Sequence, residues 1–175
     1  MLVDANLLLY AVDETSPYHA RSKAWLAAQL NGPRRVALPW QSLGAFLRIA
    51  THPRASERPL TAGEAWAHVE EWLAPSVSWS PTPGRRHAEI LRDLVVGHDA
   101  RGNLVPDAQL AALALEHGLT VCSADSDFAR FGAVRWINPL ASGASLSTLG
   151  DPPGHLRSGE GIEPSKRGAA PPQRL

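Results

Sequence analysis

The first residues of the chain constrain its fold most, because they place a carboxylate between two apolar runs. Leu2 and Val3 precede Asp4, and a second apolar run at helical spacing follows from Leu7 to Val12. We interpret Leu2 and Val3 as a short buried strand that ends at Asp4. In an open α/β sheet, ligands bind beyond the carboxyl ends of the strands. A carboxylate buried there is costly unless it has a partner, so the sequence predicts a functional role for Asp4.

Further short apolar runs alternate with helical patterns along the chain. Strands are predicted at residues 35–38, 77–79, 119–122 and 134–137. This alternation predicts a three-layer α/β/α fold, with helices on both faces of a central, mostly parallel sheet of about five strands. A doubly wound sheet of this kind has the strand order 3-2-1-4-5. Strands 1 and 4 are then neighbours, and the winding reverses between them.

Length and composition predict how the chain divides into domains and in which compartment it works. The 175 residues include a single cysteine, Cys122, and the formal net charge is +0. One cysteine excludes a disulfide within the chain and favours a reducing compartment. No apolar run approaches the ~20 residues of a membrane span, so we expect a cytoplasmic protein without membrane contact. Periodicity ends near residue 140, which predicts a globular domain at 1–140 and a disordered Gly/Pro-rich tail at 141–175.

Three aspartates are predicted to converge at one edge of the sheet. Asp4 follows strand 1, Asp125 follows strand 4, and Asp107 begins a helix after Pro106. Crowded carboxylates repel one another unless a cation lies among them. Oxygen ligands without His or Cys favour Mg²⁺ or Mn²⁺ over zinc, and such an ion polarises a phosphodiester and activates water. Structural roles are also open, because Asp107 suits a helix N-terminus and either Asp125 or Asp127 suits a helix cap.

Six segments, taken in order, are typical of one family. They are LVDAN with LLLYAV, LPW, FLRIATHPR, NLVPDAQLAALALEHG, SADSDFARF and VRWINPL. Together they run from Leu2 to Leu140, and they resemble a PIN-domain ribonuclease of the VapC-like type found as the toxin of bacterial toxin–antitoxin modules. The resemblance implies a PIN-like domain with Mg²⁺- or Mn²⁺-dependent endoribonuclease activity on RNA. It also implies a cognate antitoxin over the helices near residues 16–30 and 40–50, and a homodimer.

The resemblance also assigns roles to individual residues. Asp4 matches the first acid of the family, Asp107 the third and Asp125 the fourth, so these three are the implied catalytic and metal-binding residues. Asn6 matches the residue that supports the first acid. Ser123 and Asp127 match neighbours of the fourth acid, and we expect them to support the metal ligands.

One family residue is missing, and this leaves alternatives open. The second acid of the family would fall at Ala45, or at Gly44 with a one-residue shift, and neither side chain binds metal. Gln41 lies one turn earlier on the same helix face, and its amide oxygen is a candidate substitute ligand. An alternative is a PIN-like module that binds RNA or protein with weakened catalysis. A phosphatase with an aspartate nucleophile ranks last, because that chemistry usually needs a second Asp where Asn6 stands.

Overall fold

The computed structural model describes residues 1–55 and 58–141, in which short parallel strands alternate with helices. The strands are β1 (Leu2–Val3), β2 (Val36–Ala37), β3 (Ser78–Trp79), β4 (Val121–Cys122) and β5 (Trp136–Ile137). The helices are α1 (Ala5–Val12), α2 (His19–Leu30), α3 (Trp40–Ala50), α4 (Ala62–Leu73), α5 (His87–Gly97) and α6 (Leu104–His117), with a 3₁₀ helix at Ser126–Arg130. Apart from residue 141, the predicted tail lies outside the described residues.

The sheet has the predicted topology. Its five strands follow the order β3-β2-β1-β4-β5, and all four pairings are parallel. Leu2 of β1 is in register with Ala37 of β2 on one side and with Val121 of β4 on the other. The predicted winding reversal between strands 1 and 4 is confirmed, so the carboxyl ends of β1 and β4 lie side by side.

Alternate strand residues face two separate hydrophobic cores, which gives the three layers. Val3 packs with side chains of α1 to α4, including Leu8 and Phe46. Leu2 and its register partners pack on the opposite face with α5, α6 and Phe128. Successive strand residues point to opposite faces of a sheet, so both faces of the central strands β1, β2 and β4 are buried. The part of the chain that the structure describes has no helix long and apolar enough to span a membrane.

Helix α4 begins where the sequence predicts, but it buries a different face from the predicted one. Its start is a capping box, as Thr61-Ala62-Gly63-Glu64 predicts: the Glu64 N–H donates to Thr61 Oγ1 at 3.2 Å, and the Thr61 N–H donates to Glu64 Oε2 at 2.8 Å. Sequence spacing predicts that Trp66, Val69 and Leu73 share the buried face, whereas the helix buries Ala65, Val69 and Trp72. Trp66 is instead 44% exposed.

Candidate metal centre

The edge of the sheet where β1 and β4 end positions the first group of polar side chains. Val3 pairs with Cys122, so Asp4 and Ser123 follow directly on adjacent strands. The Asp4 N–H still donates to the Cys122 carbonyl at 3.0 Å, which extends the strand pairing by one residue. The two side chains therefore meet where the chain leaves the sheet, at the predicted edge.

Asp4 is held by hydrogen bonds to both of its carboxylate oxygens. Its Oδ1 accepts from the Ala5 N–H at 2.6 Å and caps α1, while its Oδ2 accepts from Ser123 Oγ at 2.7 Å. The residue is only 9% exposed. Burial raises the pKa of Asp4 above its ordinary value, the negative charge of Asp125 adds to this, and the two hydrogen bonds oppose it. The carboxylate oxygens keep further lone pairs that a cation can use.

Ser123 links this carboxylate to the rest of the edge. While donating to Asp4, its fully buried hydroxyl accepts from Asn6 Nδ2 at 2.8 Å and from the Asp125 N–H at 2.9 Å. A hydroxyl has one donor and two acceptor sites, so all of its capacity is used. Asn6 Oδ1 in turn accepts from the Ala124 N–H at 3.3 Å. The network fixes the start of α1 against the exit of β4.

Three carboxylates beside this network form the candidate metal centre, and we call them the acidic trio. Carboxylate oxygens of Asp107, Asp125 and Asp127 lie within 4.8 Å of one another. Asp125 is the N-cap of the 3₁₀ helix, where its Oδ1 accepts from the Asp127 N–H at 2.9 Å. This cap and the tight turn that follows it bring the two carboxylates to the same side.

Asp107 reaches the trio from the other direction, in the first turn of α6. The sequence predicts a helix that begins just after Pro106, but the helix begins at Leu104 and accommodates Pro106 in its first turn. Proline is tolerated there because the first backbone N–H groups of a helix have no partner within the helix. The exit of β4 and the start of α6 thus meet over the same edge.

The electrostatics of the trio indicate that a positive charge belongs there. Burial first, and then the negative charges of Asp4, Asp125 and Asp127, raise the pKa of Asp107 to about 7. The donor set consists of carboxylate oxygens, which suits a hard divalent ion such as Mg²⁺ or Mn²⁺. The residues therefore fit a divalent cation by both donor chemistry and charge.

The predicted site residues divide between the trio and its support. Asp107 and Asp125 come together as expected, and Asn6 and Ser123 make supporting hydrogen bonds. Asp127, which we expected only to support the ligands, contributes a carboxylate to the trio. Asp4 is not part of this trio. Its oxygens accept from Ala5 and Ser123, and its charge acts on Asp107. The Asp-x-Asp spacing at 125 and 127 was the signal for Asp127 in the sequence.

Helix α3 contributes no carboxylate to the edge. It begins at Trp40 directly after β2, and its sequence contains no acidic residue. Ala45 is half-buried, and Gly44 is exposed with nothing within 4 Å of where a Cβ would stand. Gln41 lies half-buried in the first turn. The missing second acid is therefore not replaced by another carboxylate on this helix.

Comparison with known proteins identifies the family. The family model described as PIN domain matches residues 1–134. The chain belongs to the PIN-domain family. Ribonuclease VapC37 of Mycobacterium tuberculosis is 46% identical over 140 residues, which cover 80% of this chain and 97% of that protein.

Solved structures show the same fold. The structure of M. tuberculosis VapC20, described as a Sarcin-Ricin loop cleaving toxin, has a TM-score of 0.56 at 20% identity. The match covers 77% of this chain and 98% of that chain. The Rickettsia felis VapBC2 structure, bound to a DNA fragment from its promoter, has a TM-score of 0.56 at 13% identity and covers 78% and 96%. The family and the PIN-like fold expected from the sequence are confirmed.

Proposed function

We propose that this PIN-domain protein is a Mg²⁺- or Mn²⁺-dependent endoribonuclease, the toxin of a VapC-type toxin–antitoxin module. The observation that carries the proposal is the convergence of carboxylates at the carboxyl edge of the sheet, in a chain 46% identical to a protein named Ribonuclease VapC37. Asp4, Asp107 and Asp125 are the proposed catalytic and metal-binding residues, and Asp127 joins them as a fourth carboxylate. A divalent ion bound there would polarise a phosphodiester and activate water for attack on phosphorus.

The chain's own residues prepare the site before RNA arrives. Ser123 holds Asp4 in one orientation, and Asn6 holds Ser123, so the first carboxylate stays fixed relative to the exit of β4. Asp107, with its pKa raised to about 7, is a neutral acid in a large share of molecules at neutral pH without a cation. Ion binding is therefore coupled to release of this proton, and the carboxylates remain charged once the ion is in place.

The antitoxin is proposed to cover a cavity at the C-terminal half of α1. This cavity has a volume of about 700 Å³ and lies among α1, α2, α3 and α4. Its apolar lining includes Leu26, Leu30, Phe46, Ile49 and Trp72, and its polar lining includes Asp13, Glu14, Lys23 and Glu71. An apolar surface lined with charges of both signs suits an amphipathic segment of a partner protein. We further propose a homodimer and a cytoplasmic location, where the buried thiol of Cys122 stays reduced.

The direct test uses purified protein, Mg²⁺ or Mn²⁺, and a structured RNA. Wild type is expected to cleave the RNA and to stop when EDTA is added. Asp4→Asn should lose cleavage, whereas Asp93→Asn, an exposed acid on α5 paired with Arg92, should cleave like wild type. Equal cleavage by wild type and Asp4→Asn would refute the proposal.

The absence of acids on α3 favours one second candidate, a PIN-domain module that binds RNA or protein without turnover. The two candidates differ in metal binding. Calorimetry that shows no Mg²⁺ or Mn²⁺ binding, with RNA binding retained, would support the second. The Gln41→Ala variant addresses the substitute ligand: weaker Mg²⁺ binding and slower cleavage are expected if its amide completes the site, and unchanged values would remove that role.

A further inference from the structure

Trp40 at the start of α3 and Trp66 on α4 form an exposed aromatic pair. Trp40 is 51% exposed and Trp66 is 44% exposed. Their rings stack with centroids 6.4 Å apart and planes 16° apart, and Trp66 Nε1 donates to Glu70 Oε1 at 2.9 Å. The hydrogen bond and the stacking hold both rings in place. Contiguous apolar surface that is exposed to water often marks a binding site.

The sheet register places Trp40 at the same edge as the carboxylates. Leu2 of β1 pairs with Ala37 of β2, so Asp4 and Pro39 lie level, each two residues beyond that pair. Adjacent strands are about 4.8 Å apart, and Trp40 follows Pro39 directly. A strand of nucleic acid with its phosphate at the acidic edge can therefore lay a neighbouring base on Trp40.

The charge of α3 suits a polyanion. Its exposed residues are Trp40, Gly44 and Arg48, which recur every four residues and share one face. These positions span about 12 Å at 1.5 Å per residue. The face thus offers an aromatic ring, an open backbone position and a cation. Helix α3 itself carries no acid, and the carboxylate beside the pair, Glu70 of α4, is bonded to Trp66.

We propose that Trp40, supported by Trp66, is a stacking platform for a base of single-stranded RNA beside the scissile phosphate, with Arg48 contacting the backbone. This inference rests on the proposed ribonuclease function and identifies how the same edge holds its substrate. Stacking on an aromatic ring is tolerant of base identity, because every base has a π-face. The platform therefore positions unpaired RNA and favours loops over duplex. Trp40 is a positioning residue that acts on the substrate strand.

The test measures RNA binding without cleavage. A fluorescein-labelled single-stranded RNA of mixed sequence is titrated in EDTA, with fluorescence anisotropy as the readout. Trp40→Ala is expected to bind about tenfold more weakly, and Trp40→Phe, which keeps a ring, to stay within about threefold of wild type. Val96→Ala is the control, because Val96 is an exposed apolar residue of α5, which packs on the opposite face of the sheet from α3. Its affinity should not change.

Two results would overturn the proposal. One is equal RNA affinity of Trp40→Ala and wild type. The other is a fall in molar mass by light scattering from dimer to monomer in Trp40→Ala, which would assign the pair to an interface between copies. In Mg²⁺, the proposal expects Trp40→Ala to raise KM with little change in kcat. Since the EDTA titration needs no turnover, loss of binding in Trp40→Ala supports the platform even if wild type fails to cleave RNA.

Discussion

Replacing Asp107 by asparagine should stabilise the metal-free protein at high pH. The pKa of this carboxyl is raised from an ordinary 3.8 to about 7, first by burial and then by the charges of Asp4, Asp125 and Asp127. A raised pKa means that ionisation is harder in the folded than in the unfolded state. The contribution of the neutral acid to stability is therefore present below about pH 4, is lost as the pH rises through about 7, and remains lost above it.

The size of the effect follows from the same numbers. A rise from 3.8 to about 7 corresponds to about 4 kcal/mol at about 1.4 kcal/mol per pH unit. Asp107 is only half-buried, so solvent screening reduces this figure. We expect Asp107→Asn to raise the free energy of unfolding by about 1–2 kcal/mol at pH 8, and by less at pH 5. Asparagine has nearly the same shape and no charge, so packing is kept.

Urea denaturation in EDTA at pH 5 and pH 8 measures this difference. Asp93→Asn is the control and should change stability little at either pH, because Asp93 is exposed on α5. Added Mg²⁺ should stabilise wild type more than Asp107→Asn, since a ligand that binds only the folded state adds stability by mass action. An Asp107→Asn protein no more stable than wild type at pH 8 in EDTA would refute the electrostatic argument.

Three further changes test the support of the site and the scaffold. Ser123→Ala leaves Asp4 and Asn6 without their shared partner. Thermal unfolding should show that the free energy of unfolding falls by roughly 1–3 kcal/mol, and RNA cleavage should be slower. Unchanged cleavage would contradict a role of Ser123 in fixing Asp4. Gly44 lies inside a helix with open space where a Cβ would stand. Gly44→Ala should therefore raise the melting temperature, with a gain of about 0.5–1 kcal/mol in the free energy of unfolding. A lower melting temperature would show that a methyl group here meets a contact that the structure lacks. Glu116 accepts from the Gly84 and Arg86 N–H groups, so Glu116→Gln should speed proteolysis of the loop before α5. The rate of RNA cleavage should stay at the wild-type value. Equal proteolysis of the two proteins would show that other contacts hold the loop.

Much of the fold could be predicted because the strands and their exits carry strong local signals. Asp4 and Asp125 mark where β1 and β4 end, and a doubly wound chain makes those strands neighbours. The Thr61 capping box and the left-handed Gly118 at the end of α6 are likewise local features. Each of these depends on a few consecutive residues, which a sequence displays directly.

The remaining features depend on tertiary geometry. Trp66 looks like a core residue by size, yet α4 is rotated so that Ala65 and Trp72 face the sheet, which frees Trp66 to stack on Trp40. The place of Asp127 in the trio depends on the tight turn capped by Asp125, which sequence spacing alone does not fix. The direction of a side chain at a turn is set by the chain on both sides of it.

We propose that the acidic trio, with Asp4 beside it, binds one divalent cation that RNA cleavage requires. Titration of Mn²⁺ followed by electron paramagnetic resonance measures this directly, because free and bound Mn²⁺ differ in signal. The account predicts one bound Mn²⁺ per chain in wild type and in Asp93→Asn, and binding at least tenfold weaker in Asp125→Asn. Equal Mn²⁺ affinity of wild type and Asp125→Asn, or no bound Mn²⁺ in wild type that cleaves RNA, would contradict it.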